Sequence, residues 1–196
     1  MNYIYLDIET EKFFGDPELA NMPREAQIMA IPFRLAVTDG PSSETWLAND
    51  AAELWRLLCL PDRIVVGFNI QQFDLPIIYR AADVSVPSWP RAIDLFEQIK
   101  NATGRWVKLG DVAQATLGRS KTADGKQAAQ WLRDGEIEKV VAYCQQDVQL
   151  VKDLHELTLR GEPLILPPLL TKYKHEHEIR LWLDQAGQWS RYEVRR

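Results

Sequence analysis

Apolar and polar positions repeat along this chain with two different periods, and the change of period marks out its elements. Tyr3 to Glu9 is short, almost continuously apolar and rich in β-formers, the pattern of a central strand covered on both faces. Gln27 to Thr38 and Glu44 to Leu47 predict further strands, divided by the turn signal Asp39-Gly40-Pro41-Ser42. Asp50 opens a helical pattern through Leu54, Trp55, Leu57 and Leu58 that Pro61 stops, and Arg63 to Phe68 predicts another strand. Asp74-Leu75-Pro76 begins a helix, since proline is tolerated in a first turn.

From Asp94 onward the pattern is mostly helical, with Gly118 to Lys126 a polar loop and Glu136 to Leu159 the longest helix. The PLILPP segment after Gly161 ends the core region. Beyond it Ile179, Leu181 and Leu183, then Trp189, Tyr192 and Val194, alternate around Asp184-Gln185-Ala186-Gly187 and predict a β-hairpin. Strands first, then helices interleaved with one more strand, place the chain in the α/β class, a mixed sheet flanked by helices. A length of 196 residues suits one well-buried core. The expected division is a domain over residues 1–160 and an extension over 161–196, packed on it or appended to it.

Charge and cysteine usage narrow the setting. A net charge of −5 argues against coating nucleic acid through a global positive field, yet fits a site that is itself a concentration of carboxylates. No apolar run approaches the roughly 20 residues that span a bilayer, so no membrane partner is expected. The start, MNYIYLDIET, lacks the basic opening and cleavage site of a secretory leader. Cys59 and Cys144 form no CxxC and sit in apolar helical patterns, reading as buried reduced thiols in a cytoplasmic protein.

Three carboxylate motifs carry the candidate chemistry. In Asp7-Ile8-Glu9 the acids are two apart in a strand and project to one face, where a divalent ion would relieve their repulsion; hard oxygen donors select Mg²⁺ or Mn²⁺. The alternative is a strand that ends with both acids in water. Asp74, in GFNIQQFD, stands where strand gives way to helix, and taken alone it reads as an N-cap. Asp147 falls in the middle of the apolar stripe Ile137, Val140, Cys144, Val148, Val151 and Leu154, with Tyr143 one turn earlier at its edge. A carboxylate there needs a partner, either a buried arginine or a metal beside Asp7 and Glu9.

In order and context, Asp7-x-Glu9, Asn69-xxx-Phe73-Asp74 and Tyr143-xxx-Asp147 resemble the three exonuclease motifs of the DEDD superfamily. Tyr143, with Ala142 where the sister branch has histidine, matches the DEDDy branch; His155 lies beyond Asp147 and reads as an ordinary helix residue. GFNIQQFDLPIIYRA and AYCQQDVQLV are similar to the 3′–5′ exonuclease domain of family-B DNA polymerases and its small stand-alone relatives, over roughly Tyr3 to Leu159. The resemblance implies a ribonuclease-H-like fold and hydrolysis of single-stranded nucleic acid, DNA favoured, from a free 3′ end to nucleoside 5′-monophosphates. It implies that Asp7, Glu9, Asp74 and Asp147 hold two divalent ions about 3.5–4 Å apart, with Tyr143 orienting the attacking water.

By the same resemblance Thr10, Asn69 and Phe73 help position the terminal nucleotides, Phe73 by packing on a base or else in the core. Arg105, Lys108, Arg119, Lys121 and Lys126 form the most basic stretch, and Arg119 and Lys121 are assigned to the phosphate backbone against the plain alternative of a solvated loop. Glu11 to Arg24 is not typical of the family; its Phe13 and Phe14 either stack on the substrate end or pack locally. His175-x-His177 could mimic a metal pair but fits an exposed segment. The rival functions are an exoribonuclease, an endonuclease using the same metals, and a catalytically idle binding module; protein partners are left open.

Overall fold

The computed structural model describes residues 2–14, 16–84, 88–168, 177–184 and 186–195. Five strands form the main sheet: β1 (Asn2–Thr10), β2 (Phe33–Asp39), β3 (Ser43–Leu47), β4 (Arg63–Gly67) and β5 (Ala92–Asp94), in the order β3-β2-β1-β4-β5. β1 pairs antiparallel with β2 and parallel with β4, and β5 continues the parallel side, so the sheet is mixed, as the pattern predicts.

The run Tyr3 to Glu9 is apolar throughout because both faces of β1 are covered. Tyr5, with Leu35, Val37, Ile64 and Val66, joins Val140, Cys144, Val148, Val151 and Leu154 of α7 (Ile137–Leu159) in one core. Ile4, Leu6 and Ile8 join Leu54, Trp55 and Leu58 of α2 (Ala51–Leu58), and Leu75, Ile77 and Ile78 of α3 (Asp74–Ala82), in a second. The two-residue period therefore carries Asp7 and Glu9 onto the face that meets α7. Gly67 ends β4 where the chain doubles back closely: a Cβ there would lie 2.1 Å from Ile70 Cγ2, so the turn into α3 needs a glycine.

Gln27 to Thr38 is not one strand. Arg24–Ala30 forms the helix α1, and β2 begins only at Phe33. Pro32 has no N–H for a ladder and confines the strand to the residues after it. Three helices connect the main sheet to α7: α4 (Leu95–Thr103), α5 (Leu109–Leu117) and α6 (Gly125–Arg133).

The C-terminal hairpin is present as β7 (Glu178–Leu183) and β8 (Trp189–Arg195), and the Asp184 carboxylate closes its turn by accepting from Ala186 N and Gln188 N at 2.9 Å each. The apolar segment of PLILPP adds a strand, β6 (Leu164–Leu166), that pairs with β7. Its Leu164 and Leu166 join Ile179, Leu181 and Leu183 in the core shared with α7. Arg105 is no surface cation: it is buried, and its guanidinium donates to Pro167 O at 3.1 Å and His177 O at 2.6 Å. His177 is exposed, and His175 lies outside the described residues.

Candidate active site

Parallel strands end together at one edge of the sheet, and side chains from β1, the β4–α3 turn and α7 converge there. A cavity of about 220 Å³ opens at this edge, lined by Asp7, Glu9, Thr10, Asn69, Phe73, Asp74, Lys121, Tyr143 and Asp147. These are all the residues that the sequence motifs assign to catalysis or substrate binding except Arg119. That guanidinium instead ion-pairs with Asp153 on α7 and is nearly half exposed.

Each acid is fixed by a different element. Asp7 and Glu9 come from the end of the β1 pleat, and an oxygen of each lies within 4.8 Å of the other and of Cys144 Sγ. Asp74 is not the cap of its helix. Phe73 holds the N-cap position, and Asp74, first residue of α3, accepts a hydrogen bond from Ile8 N at 3.2 Å, tying the helix to β1. Tyr143 and Asp147 face inward from α7, one turn apart, at 4% and 2% exposure.

Asp147 has a lysine for partner, not an arginine. The Lys121 ammonium donates to Asp147 Oδ2 and lies 3.1 Å from Tyr143 Oη. Cys144 is buried behind the acids with its Sγ 3.4 Å from Asp7 O; Cys59, by contrast, is half-buried, and both thiols are free. His155 is more than a helix residue: it is buried one helical face away, its Nδ1 3.1 Å from Tyr5 Oη and its ring edge-on to Tyr3.

Asp94 is the organising residue that the motifs do not include. One carboxylate, 1% exposed, accepts from Asn69 N at 2.7 Å, Gln71 N at 3.0 Å, Phe96 N at 3.1 Å and Glu97 N at 3.3 Å. It caps α4 and at the same time holds the Asn69 backbone in the left-handed region, at φ 67°, on the way to Asp74. The sequence does carry a signal for it: Asp94 followed three residues later by Glu97, ahead of apolar Ile99, is a capping pattern.

The electrostatics of the cavity are those of crowded, poorly hydrated acids. Burial, then the neighbouring charge of Asp147, raises Asp7 from 3.8 to about 7. Burial first, with Asp7 next, also lifts Glu9 and Asp74 well above the carboxylate range. Asp147 rises as well through burial, although Lys121 opposes it. Burial works to depress the Lys121 ammonium, but Asp147 and Asp7 outweigh it and the net shift is upward. Burial and Asp147 push the Tyr143 phenol above its usual range, so it stays protonated at any working pH.

The donor set suits divalent metal. All four acids offer hard oxygen, with Asp7 and Glu9 close enough to share an ion; Asp147 Oδ1 is buried with no hydrogen-bond partner, and among the described residues Lys121 is the lysine paired with the cluster. Of the two neighbouring aromatics, Phe14 packs edge-on against Phe73 with ring centroids 5.2 Å apart, and the Arg24 guanidinium lies over the Phe14 ring at 3.9 Å. Phe13 lines the cavity. Among the described residues, no helix is long and apolar enough to cross a membrane.

A family model described as RNase_H superfamily (RNase_H_2) matches residues 4–159. No curated protein matches the chain. Among solved structures it is similar to E. coli exonuclease I in complex with a 5cy-dT13 oligonucleotide, at 11% identity and a TM-score of 0.39, over 93% of this chain and 51% of that one. The chain thus spans about half the length of that protein.

Proposed function

Because the chain belongs to the RNase_H superfamily, we propose that it is a DEDDy 3′–5′ exonuclease that shortens single-stranded nucleic acid, DNA in preference to RNA, to nucleoside 5′-monophosphates. Residues 1–160 are the exonuclease domain and 161–196 an extension packed on it, in a protein of the cytoplasm. The observation that carries the reading is the convergence of Asp7, Glu9, Asp74, Asp147 and Tyr143, spread over 141 positions of sequence from first to last, on one cavity of about 220 Å³. The likeness of GFNIQQFDLPIIYRA to DNA polymerase exonuclease domains supports DNA.

Asp7, Glu9, Asp74 and Asp147 would hold two divalent ions, Mg²⁺ or Mn²⁺. When bound, such ions act as Lewis acids on the phosphate and lower the pKa of water. The acids crowd and repel one another; Asp74 is held by Ile8 N, the turn that leads to it by Asp94, and Asp147 by Lys121. Tyr143, protonated, is a hydrogen-bond donor, and Lys121 beside it fixes the direction of its hydroxyl. Phe73, braced by Phe14, lines the cavity that would receive the terminal nucleotide.

Digestion of 5′-labelled single-stranded DNA and RNA oligonucleotides in Mg²⁺ or Mn²⁺ tests this directly. A ladder shortening from the 3′ end is expected, faster on DNA. Internal cuts, or no cleavage of either strand, would replace the exonuclease by an endonuclease or an idle binding module. Tyr143→Phe is expected to lower kcat about 10–100-fold with little change in KM, the signature of a contact made in the transition state. An unchanged kcat would remove the hydroxyl from the mechanism.

A further inference from the structure

Among the described residues β8 is the edge of the C-terminal sheet, which runs β6-β7-β8. An edge strand presents main-chain donors and acceptors to any strand that can reach them, and WSRYEVR has neither a proline nor a run of like charge to blunt it. Every side chain described on β8, from Trp189 to Val194, is exposed, so the strand projects past the core on both faces. Its turn is seated closely: a Cβ on Gly187 would lie 2.5 Å from Ile93 Cγ2 of β5. On the inner face Val194 stands opposite buried Ile179 yet is 51% exposed, and Trp189, opposite buried Leu183, is 44% exposed. The apolar face of this sheet therefore runs on beyond what the chain covers. On the outer face Arg191 lies over the Trp182 ring at 4.0 Å, with Glu193 two residues on.

We infer that β8 pairs antiparallel with β8 of a second copy of this chain, about a two-fold axis at Tyr192, joining two three-stranded sheets into one. Residues directly opposite each other in an antiparallel pair share a face, so the axis must pass through a residue, and charge decides which. Centred on Tyr192, Arg191 of each copy faces the partner's Glu193, and Ser190 faces the partner's Val194. Centred on Arg191 or on Glu193, the axis sets like charges against each other. Within one copy Arg191 Nε and Glu193 Oε1 are 3.9 Å apart, longer than a hydrogen bond, and both side chains are more than half exposed. Main-chain hydrogen bonds and partial cover of Val194 supply the affinity; exposed ion pairs supply register rather than strength. One short strand from each copy makes a small interface, at the weak end of specific ones.

Sedimentation velocity over a range of concentrations at low salt tests the pairing. Wild type is expected to pass from monomer to dimer over about 10–100 μM. Glu193→Arg alone, and Arg191→Glu alone, each set like against like at both crossings and are expected to raise the dissociation constant about tenfold or more. Mixed in equal amounts, with a fluorescent label on one, the two variants restore opposite charges at both crossings, and a heterodimer of near wild-type affinity is expected. Neither residue lines the acidic cavity, so digestion of oligonucleotides is expected to be unchanged in both. A wild type that stays monomeric to about 1 mM, far beyond the range of weak specific complexes, would overturn the pairing. So would variants that stay apart when mixed, or a dimer equally tight in wild type and both variants, which would place the contact on another surface.

Discussion

Asp7→Asn is expected to cut exonuclease turnover by about 10³-fold or more and, at the same time, to make the metal-free protein more stable at pH 8. The loss comes from removing a charged oxygen from the cluster proposed to bind metal, an effect at least as large as losing one preorganised donor in an active site. The gain comes from linkage. Folding raises the Asp7 pKa from 3.8 to about 7, so the folded chain holds this proton more tightly than the unfolded one. The resulting penalty is absent below about pH 4 and complete above about pH 7, and metal-free wild type therefore loses stability as pH rises through that window. Asparagine carries no such charge, and the variant gains on the order of 4 kcal/mol at pH 8 and almost nothing at pH 4. Thermal melts in EDTA at the two pH values, beside an oligonucleotide digestion assay, check both halves. Turnover within tenfold of wild type, or a melting temperature that falls at pH 8, would move Asp7 out of the cluster's centre.

Asp94→Ala is expected to lower stability by about 3 kcal/mol and to damage the site although Asp94 is not among the residues lining the cavity. Its carboxylate satisfies four backbone N–H groups, and alanine leaves donors buried or forces the turn to open. Among those donors is the amide of Asn69, whose positive φ has a cost that the surrounding structure must offset. Once that turn relaxes, Asp74 loses its aim at Ile8 N and the acids no longer share one cavity. Asp94→Asn keeps one acceptor oxygen and should fall between the two. Urea denaturation gives the stability change, and the ratio of kcat to KM on an oligonucleotide gives the second effect. A variant as stable as wild type would mean that water replaces the carboxylate without strain.

Residue patterns make much of this structure legible, for physical reasons that also explain where they mislead. β1 and α7 are legible because they are long and their periods are set by burial on definite faces: Ile4, Leu6 and Ile8 on one side, and Cys144, Val148 and Val151 on the other. Asp147 stands out because an acid inside such a stripe demands a partner. That the partner is Lys121 is not legible, since it arrives from a loop 26 residues away, where nothing periodic marks a contact. β5 and β6, three residues each, are too short to show a period and exist through their neighbours. A strand from Gln27 does not form because the apolar residues around Ile28 and Ile31 serve a short helix and its exit as well as they would a strand. Asp74 reads as a cap because local chemistry is visible in sequence and a contact to Ile8, 66 residues earlier, is not.

The cavity draws on residues as early as Asp7 and as late as Asp147, and β1 can be sandwiched only after α7 has formed. A chain emerging from the ribosome has made most of its length before these acids can meet, and contacts of such long sequence separation are the last to form. A copy that stops before α7 lacks Tyr143 and Asp147 and therefore has no assembled centre. The order of synthesis thus delays the assembled cavity until α7 has been made and has docked on β1.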